Sequence, residues 1–360
     1  MEIKIDKSEL LNAVNTVSKS VPSRSSMPIL SCILITVSNG EISFTSNDTE
    51  MATVYFGDNV EIIEDGLIAV ESDLFCPIVS KLPQGEVSIK VEEEMLIKCG
   101  RSKFSIPVRS GEEYPAVENV PRENSISLSQ REMKDIIRQT IFCADMGSSN
   151  KTMTGELFEI KDGKLKVVAL DGHRIAVREK ELNTDYETSV IIPAKSLLNI
   201  SRIMGEGDLN VYFTDNMVAF HFGNTLVTSR LIEGDYFDID RMFGAEPTTI
   251  ITVKNDELSG CLDRASLLID ANDKKPIIFT IGDKLETKLQ SRKGEMTETI
   301  EIEKQGENLM IGFNPSLMLD ALKAVEDEEV KFSFTNNKAP CYIEGEGYCY
   351  LILPVNFQGA

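Results

Sequence analysis

The chain has 360 residues, 42% hydrophobic and 26% charged, which is ordinary soluble globular composition and enough length for two or three cores. Its 37 Lys and Arg against 58 Asp and Glu give a net charge of −21, which on its face excludes a uniformly basic nucleic-acid binder but says nothing of where the cations sit. Seven scattered cysteines without a C-x-x-C pair, and only two histidines, exclude a disulfide framework and a zinc site, so no metal and no cofactor is expected. No apolar run approaches a membrane span. The start, MEIKIDKSELL, lacks a basic stretch followed by an apolar core, so the expectation is a cytoplasmic protein without an export signal or membrane contact.

In chain order, the first predicted element is an amphipathic helix from Lys7, KSELLNAVNTV, with Leu10, Val14 and Val17 at helical spacing. Strands divided by an Asn-Gly turn follow in ILITVSNGEISFTSND, then a short helix in ESDLFCPIVSKLPQG and a strand pair in EVSIKVEEEMLIKCGRSKFSIPV. The same order returns twice. The second copy runs QREMKDIIRQTI with Met133, Ile136, Ile137 and Ile141, then ELFEIKDGKLKVVALD, then PAKSLLNISRIM, and closes on a hairpin from Leu209 to Leu231. The third runs NDELSGCLDRAS with Leu258, Cys261 and Leu262, then PIIFTIGDKLETKLQS, NPSLMLDALKAVEDE and a closing strand pair ending in LILPV. Glu9, Glu132 and Glu257 align at spacings of 123 and 125 residues. The expectation is an α+β protein of three tandem domains, 1–120, 125–245 and 250–356, with a tail or tag remnant at 357–360. Each antiparallel sheet would carry two helices on one face and meet solvent on the other.

Repeated domains joined head to tail either close into a ring or run on as a filament. Two strands carry the signal for closure. Arg101 to Val108 sets Arg101 and Lys103 on one face against Phe104 and Ile106 on the other. Thr297 to Glu303 sets Glu301 and Glu303 against Ile300 and Ile302. Pairing these edges between copies would oppose unlike charges, with Phe104, Ile106, Leu267 and Leu268 adding apolar contact. The plainer reading leaves both as solvated strands. Helical cations at Lys81, Lys134, Arg138, Lys195, Arg202, Arg264 and Lys323 predict base gathered on a concave face and acid outside, although each taken singly reads as a solvated helix residue. Catalysis is not expected: Asp171 and His173 stand two apart in a turn, with no nucleophile, metal set or phosphate-cradling loop.

The pieces SRSSMPIL (23–30), NDTEM (47–51), GRSKFSIP (100–107), ALDGHRIA (169–176) and LILPV (351–355) make the whole chain resemble the bacterial DNA sliding clamp family, the β subunit of DNA polymerase III. The resemblance implies three clamp-type domains per chain and a head-to-tail homodimeric ring, sheets outside and helices lining the hole. Such a ring encloses double-stranded DNA without reading sequence. It serves as a processivity factor that does no chemistry itself. It tethers the replicative polymerase, the clamp loader and repair proteins through short linear motifs. By the resemblance, Arg24, Lys151 and Thr152 touch DNA, joined on the helices by Lys134, Arg138, Lys195 and Arg202. The motif pocket would comprise Met153, Leu170, Gly172, His173, Arg174, Ile175, Arg241, Met242, Leu317, Leu353, Pro354 and Val355, with Arg174 and Arg241 meeting a polar or acidic peptide end. Lys151 and Thr152 replace aromatics, Asp73 replaces an arginine, and Leu170 and Tyr236-Phe237-Asp238-Ile239 depart from the usual pocket residues, which implies an altered peptide preference. The alternative is a peptide-binding scaffold that encircles nothing.

Overall fold

The computed structural model describes residues 1–22, 24–269 and 275–357, so all of the expected 357–360 tail but Phe357 lies outside the described residues. Six helices form where the apolar spacing predicts them: α1 Lys7–Val17, α2 Ser72–Lys81, α3 Gln130–Thr140, α4 Ala194–Ile203, α5 Asn255–Ser266 and α6 Pro315–Ala324. In α1 the buried stripe is Leu10, Ala13, Val14 and Val17, and in α5 it is Leu258, Cys261, Leu262 and Ala265. Both follow the i, i+3, i+4, i+7 spacing of a helix with one face in a core. Side chains of Asp6 and Asn314 accept from the Ser8 and Ser316 N–H groups and so satisfy orphan donors at the starts of α1 and α6.

Packing divides the chain into two compact units that cut across the sequence thirds: Met1–Lys134 with Lys195–Leu231, and Asp135–Ala194 with Ile232–Ala360. The middle third is shared because its strands complete sheets begun by the other two thirds. In the first unit, Arg109–Ser110, Gly66–Glu71, Cys32–Ser38, Glu41–Asn47 and Met51–Gly57 continue directly into Thr225–Arg230, Met217–Phe222, Asp208–Phe213 and Ser125–Ser129 as one nine-stranded sheet. The seam is antiparallel, with Val54 opposite Leu226. A five-stranded sheet, Glu61–Glu64, Glu2–Asp6, Glu86–Val91, Glu94–Cys99 and Ser102–Pro107, completes this unit.

The second unit repeats the plan. Its nine-stranded sheet runs Thr188–Pro193, Gly155–Lys161, Lys164–Leu170, Arg174–Glu181, then Tyr348–Ile352, Cys341–Gly345, Glu329–Phe334, Thr249–Lys254 and Glu303–Gly306. Here the seam sets Ala176 opposite Tyr350. A four-stranded sheet of Glu295–Glu301, Lys284–Gln290, Ile277–Ile281 and Leu309–Phe313 packs into a core with Phe279, Phe313, Phe332 and Phe334.

Two expectations need correction. Each repeat closes on three strands, not a pair, because Gly100, Gly223 and Gly347, at φ +56°, +49° and +72°, turn the chain a second time. The Leu209–Leu231 hairpin is therefore a meander. Likewise Thr297–Glu303 is not one strand. Glu295–Glu301 belongs to the four-stranded sheet and Glu303–Gly306 to the nine-stranded one, the chain changing partner at Ile302. Glu301 and Glu303 thus stand on different sheets.

The second unit also buries a carboxyl completely. Glu156 is fully inaccessible; its Oε2 lies 3.1 Å from Thr140 Oγ1, and its Oε1 has no partner. Burial drives this carboxyl well above its ordinary value, and the Thr140 hydrogen bond opposes the shift only in part. The folded chain therefore keeps a proton that the unfolded chain releases, so this group costs stability increasingly as pH rises above the ordinary carboxylate value. In urea unfolding, the stability of Glu156→Gln relative to the parent is expected to grow from pH 5 to pH 8; a difference independent of pH would contradict a neutral Glu156.

Candidate functional site

In the second unit the turn after Lys164–Leu170 is tied by one side chain. Asp171 Oδ1 accepts from the N–H groups of His173 and Arg174 at 2.8 and 3.0 Å, and the Asp171 N–H donates to the Arg174 carbonyl at 3.1 Å. That geometry aims Arg174 inward. Its Nε donates to Asp171 Oδ2 (3.0 Å), Nη1 to Asp320 Oδ2 (2.8 Å) and the Leu317 carbonyl (3.3 Å), and Nη2 to the Phe142 carbonyl (2.5 Å). The guanidinium carbon sits 5.2 Å from the Phe142 ring centre. Arg174 is a satisfied core arginine, which corrects the expectation that it would meet a peptide end.

Beside this turn lies a groove of about 600 Å³, within the range of ligand sites. Leu170, Ile175 and Leu351 form its floor, packed with Val168, Val177 and Ile239. Phe237, Met242 and Leu353 leave 56%, 39% and 39% of their surface exposed along it, an unusual concentration of wet apolar side chains. Asn150, Thr152, Met153, Gly172, His173, Asp235, Tyr236 and Asp238 complete the walls. The wall 235–242, which ends in a 3-10 turn at Asp240–Met242, is pinned at three points. Tyr236 Oη donates to the Gly155 carbonyl (3.4 Å), Lys166 Nζ to Asp240 Oδ1 (2.9 Å), and Tyr342 Oη to the Met242 carbonyl (2.7 Å). The Lys166 hydrogen bond, with its charge, holds the Asp240 carboxyl below its ordinary value.

Of the expected pocket residues, Met153, Leu170, Gly172, His173, Arg174, Ile175, Met242 and Leu353 line this groove. Arg241, Leu317, Pro354 and Val355 do not. Arg241 has a 93% exposed side chain, the Leu317 carbonyl is taken by Arg174, and the Val355 N–H donates to the Gly312 carbonyl at 2.8 Å. Tyr236, Phe237 and Asp238, singled out in the sequence as departures at the pocket, also line it, whereas Asn150, Asp171, Asp235 and Leu351 were not expected there. Thr152, expected at DNA, is part of the groove wall.

The first unit contains the same turn with other side chains. Asp48 Oδ1 accepts from the Glu50 and Met51 N–H groups at 3.1 and 2.8 Å, and the Arg230 N–H donates to the Glu50 carbonyl at 2.8 Å, as the Leu353 N–H does to His173 at 2.9 Å. Arg230 thus occupies the place of Leu353. Its guanidinium pairs with Glu118 at 2.5 Å and caps the Thr49 carbonyl at 3.2 Å, and the cavity there shrinks to about 50 Å³. ALDGHRIA therefore shares the turn's hydrogen bonds with its sibling but not every dihedral: Thr49 stands at φ +77°, whereas its counterpart Gly172 lies outside the left-handed region.

The helical cations are largely spent. Arg138 pairs with Asp135 and Glu326 at 3.1 Å, Lys195 with Asp48 at 2.9 Å, Arg264 with Glu298 at 2.7 Å and Lys323 with Asp263 at 3.6 Å. Lys134 donates to the Met204 carbonyl at 3.3 Å. Arg24, Lys81, Lys151 and Arg202 are exposed and carry no ion pair among the described residues. At the open sheet edges, Arg101 and Lys103 are exposed, Phe104 is 38% exposed, and Ile106 belongs to its own core. Leu267 is 75% exposed, Leu268 packs against the core of the second unit, and Glu301 forms an ion pair with Lys284.

Residues 1–118, 127–238 and 240–355 match, in order, the N-terminal, central and C-terminal domains of the DNA polymerase III beta subunit. The chain belongs to the DNA polymerase III beta subunit family. It is 32% identical over 374 residues to the beta sliding clamp of Staphylococcus epidermidis, covering 99% of both proteins. The crystal structure of a putative DNA polymerase III beta subunit from Eubacterium rectale superposes with a TM-score of 0.95 at 45% identity, over 99% of each chain. The Bacillus subtilis sliding clamp gives 0.94 at 32% identity, again over 99% of each. The expected three-domain α+β clamp fold is thereby established for this member of the family. Among the described residues no helix is long and apolar enough to cross a membrane.

The contrast between the two kinds of groove residue is measurable. Arg174→Ala removes one partner of a buried charge network and is expected to cost about 3 kcal/mol in urea unfolding. Leu353→Ala, at a half-wet position, is expected to cost less than about 1.5 kcal/mol.

Proposed function

We propose that this family member works as a DNA sliding clamp: a head-to-tail homodimer closing a ring around double-stranded DNA, a processivity factor with no catalytic activity of its own. Strand arithmetic carries the reading. The first unit's seam joins five strands to four, and the second unit's joins four to five, each making nine. Left over are a five-stranded sheet ending on Ser102–Pro107 and a four-stranded sheet ending on Glu295–Glu301, and 5 + 4 is again nine. Exposed edges invite pairing, and a second copy offers the complementary edge.

The register of that pairing follows from the two seams. Ser291 N–H donates to the Gly294 carbonyl at 2.9 Å, as Asp171 does to Arg174, so Gly294 corresponds to Arg174. Ser102, Thr225 and Tyr348 correspond as first residues paired after their turns. Carrying over the partnership of Arg174 with Ile352 sets Gly294 opposite Ile106, Met296 opposite Phe104 and Thr297 opposite Lys103. Glu295 then lies diagonal to Lys103, and Glu303 drops out of the expected charge pairing because it sits on another sheet.

Binding without reading sequence asks for weak, mobile contacts to phosphates. Arg24, Lys151 and Arg202 are the readily available cations. Lys134 would exchange the Met204 carbonyl, and Arg138 its solvent-facing Glu326, for phosphates at small cost, since exposed ion pairs are worth about 0–1 kcal/mol, while Lys195 would have to leave the buried Asp48. The groove would hold short linear motifs of the replicative polymerase, the clamp loader and repair proteins, and the protein would act in the cytoplasm. Methionine and aliphatic walls suit an adaptable apolar seat.

Two measurements test the ring. Sedimentation should give 2 × 40.0 kDa, or 80 kDa, for the parent and 40.0 kDa for Phe104→Asp, with both folded. The parent should be retained on circular DNA and lost on linearising it; equal loss from both forms would favour the scaffold that encircles nothing. Met242→Ala with Leu353→Ala should weaken motif binding about tenfold or more while the dimer persists.

A further inference from the structure

The docking reading above does not say which peptides the groove prefers, and its charges bear on that. Besides His173 and Tyr236, which count as neutral, four charged side chains line it, Asp171, Arg174, Asp235 and Asp238, for a net charge of 1 − 3 = −2. The single cation is already spent on Asp171 and Asp320. The remaining acids, Asp235 and Asp238, are both exposed on the same wall, beside Phe237. Asp235 has no ion pair among the described residues. Among the described residues Asp238 has one ion-pair partner, Arg241, 4.0 Å away with 93% of its side chain in solvent, and its Oδ1 accepts from the Asp240 N–H at 3.1 Å. Other nearby cations are unavailable as walls: Lys166 is held by Asp240, and Lys151 is exposed but does not line the groove.

We propose, resting on that docking reading, that the groove selects an apolar segment flanked by lysine or arginine over one flanked by aspartate or glutamate. The floor supplies affinity by burying apolar side chains, which is indifferent to charge. Asp235 and Asp238 supply discrimination: they attract a basic flank and repel an acidic one across a partly desolvated rim. This preference runs against the expected acidic peptide end: of the two arginines expected to receive it, Arg174 is bonded inward and Arg241 does not line the groove.

The test uses the full chain and three fluorescent peptides sharing one leucine-rich core, with Arg-Lys, Asp-Glu or Ser-Gly flanks, read by anisotropy at low and high salt. At low salt the basic peptide should bind about five times more tightly than the acidic one, as two solvated charge contacts allow, and the gap should narrow with salt. In Asp235→Asn/Asp238→Asn the gap should largely close while the neutral peptide binds as before, and Leu353→Ala should weaken all three. Equal or acidic-favouring binding overturns the proposal. So does a preference that survives the double substitution, since the chain's overall negative charge would then be its source. Failure of all three peptides to bind would instead count against the docking reading.

Discussion

Backbone pairing at a strand edge is the constraint on which this architecture depends. A strand with one side unpaired exposes donors and acceptors that must find a partner or remain in water. In both compact units that demand is met by a neighbouring third of the chain: Met51–Gly57 accepts Thr225–Arg230, and Arg174–Glu181 accepts Tyr348–Ile352. The repeat is thus less a row of independent domains than a set of half-sheets that complete one another. This is why the middle third is divided between two units although its sequence reads as one.

A conserved backbone device then serves two ends. An aspartate ties the turn before each seam, at Asp48 and at Asp171, with its Oδ1 on the following N–H groups. The two turns differ in φ at Thr49 (+77°) and Gly172, and in the residue just past the seam. Leucine at 353 leaves an apolar recess. Arginine at 230 reaches Glu118 and the Thr49 carbonyl and fills the equivalent space. The binding surface owes its existence to side-chain volume and polarity on a shared frame, in keeping with the rule that function resides in sites and not in folds.

Electrostatics is arranged with similar economy. A net charge of −21 is compatible with a nucleic-acid partner only if the cations are few, local and exchangeable. Most helical cations carry a carboxylate partner at the surface, where such pairs contribute little and yield to a competing phosphate. Arg174, on a strand, differs: it is buried, with a hydrogen bond on every guanidinium nitrogen.

The sequence by itself determined the repeat, all six helices, the Asn39-Gly40 turn and the family, because periodic burial and turn chemistry are local and are written in residue order. It also named eight of the groove residues, six of them within the motifs ALDGHRIA and LILPV that carry the family resemblance. Only the tertiary structure decided which strands share a sheet, that Glu301 and Glu303 part company at Ile302, and that Arg174 faces inward. These depend on hydrogen bonds and packing between residues far apart in the chain: Arg174 is 146 positions from Asp320, and spacing alone carries no record of that approach.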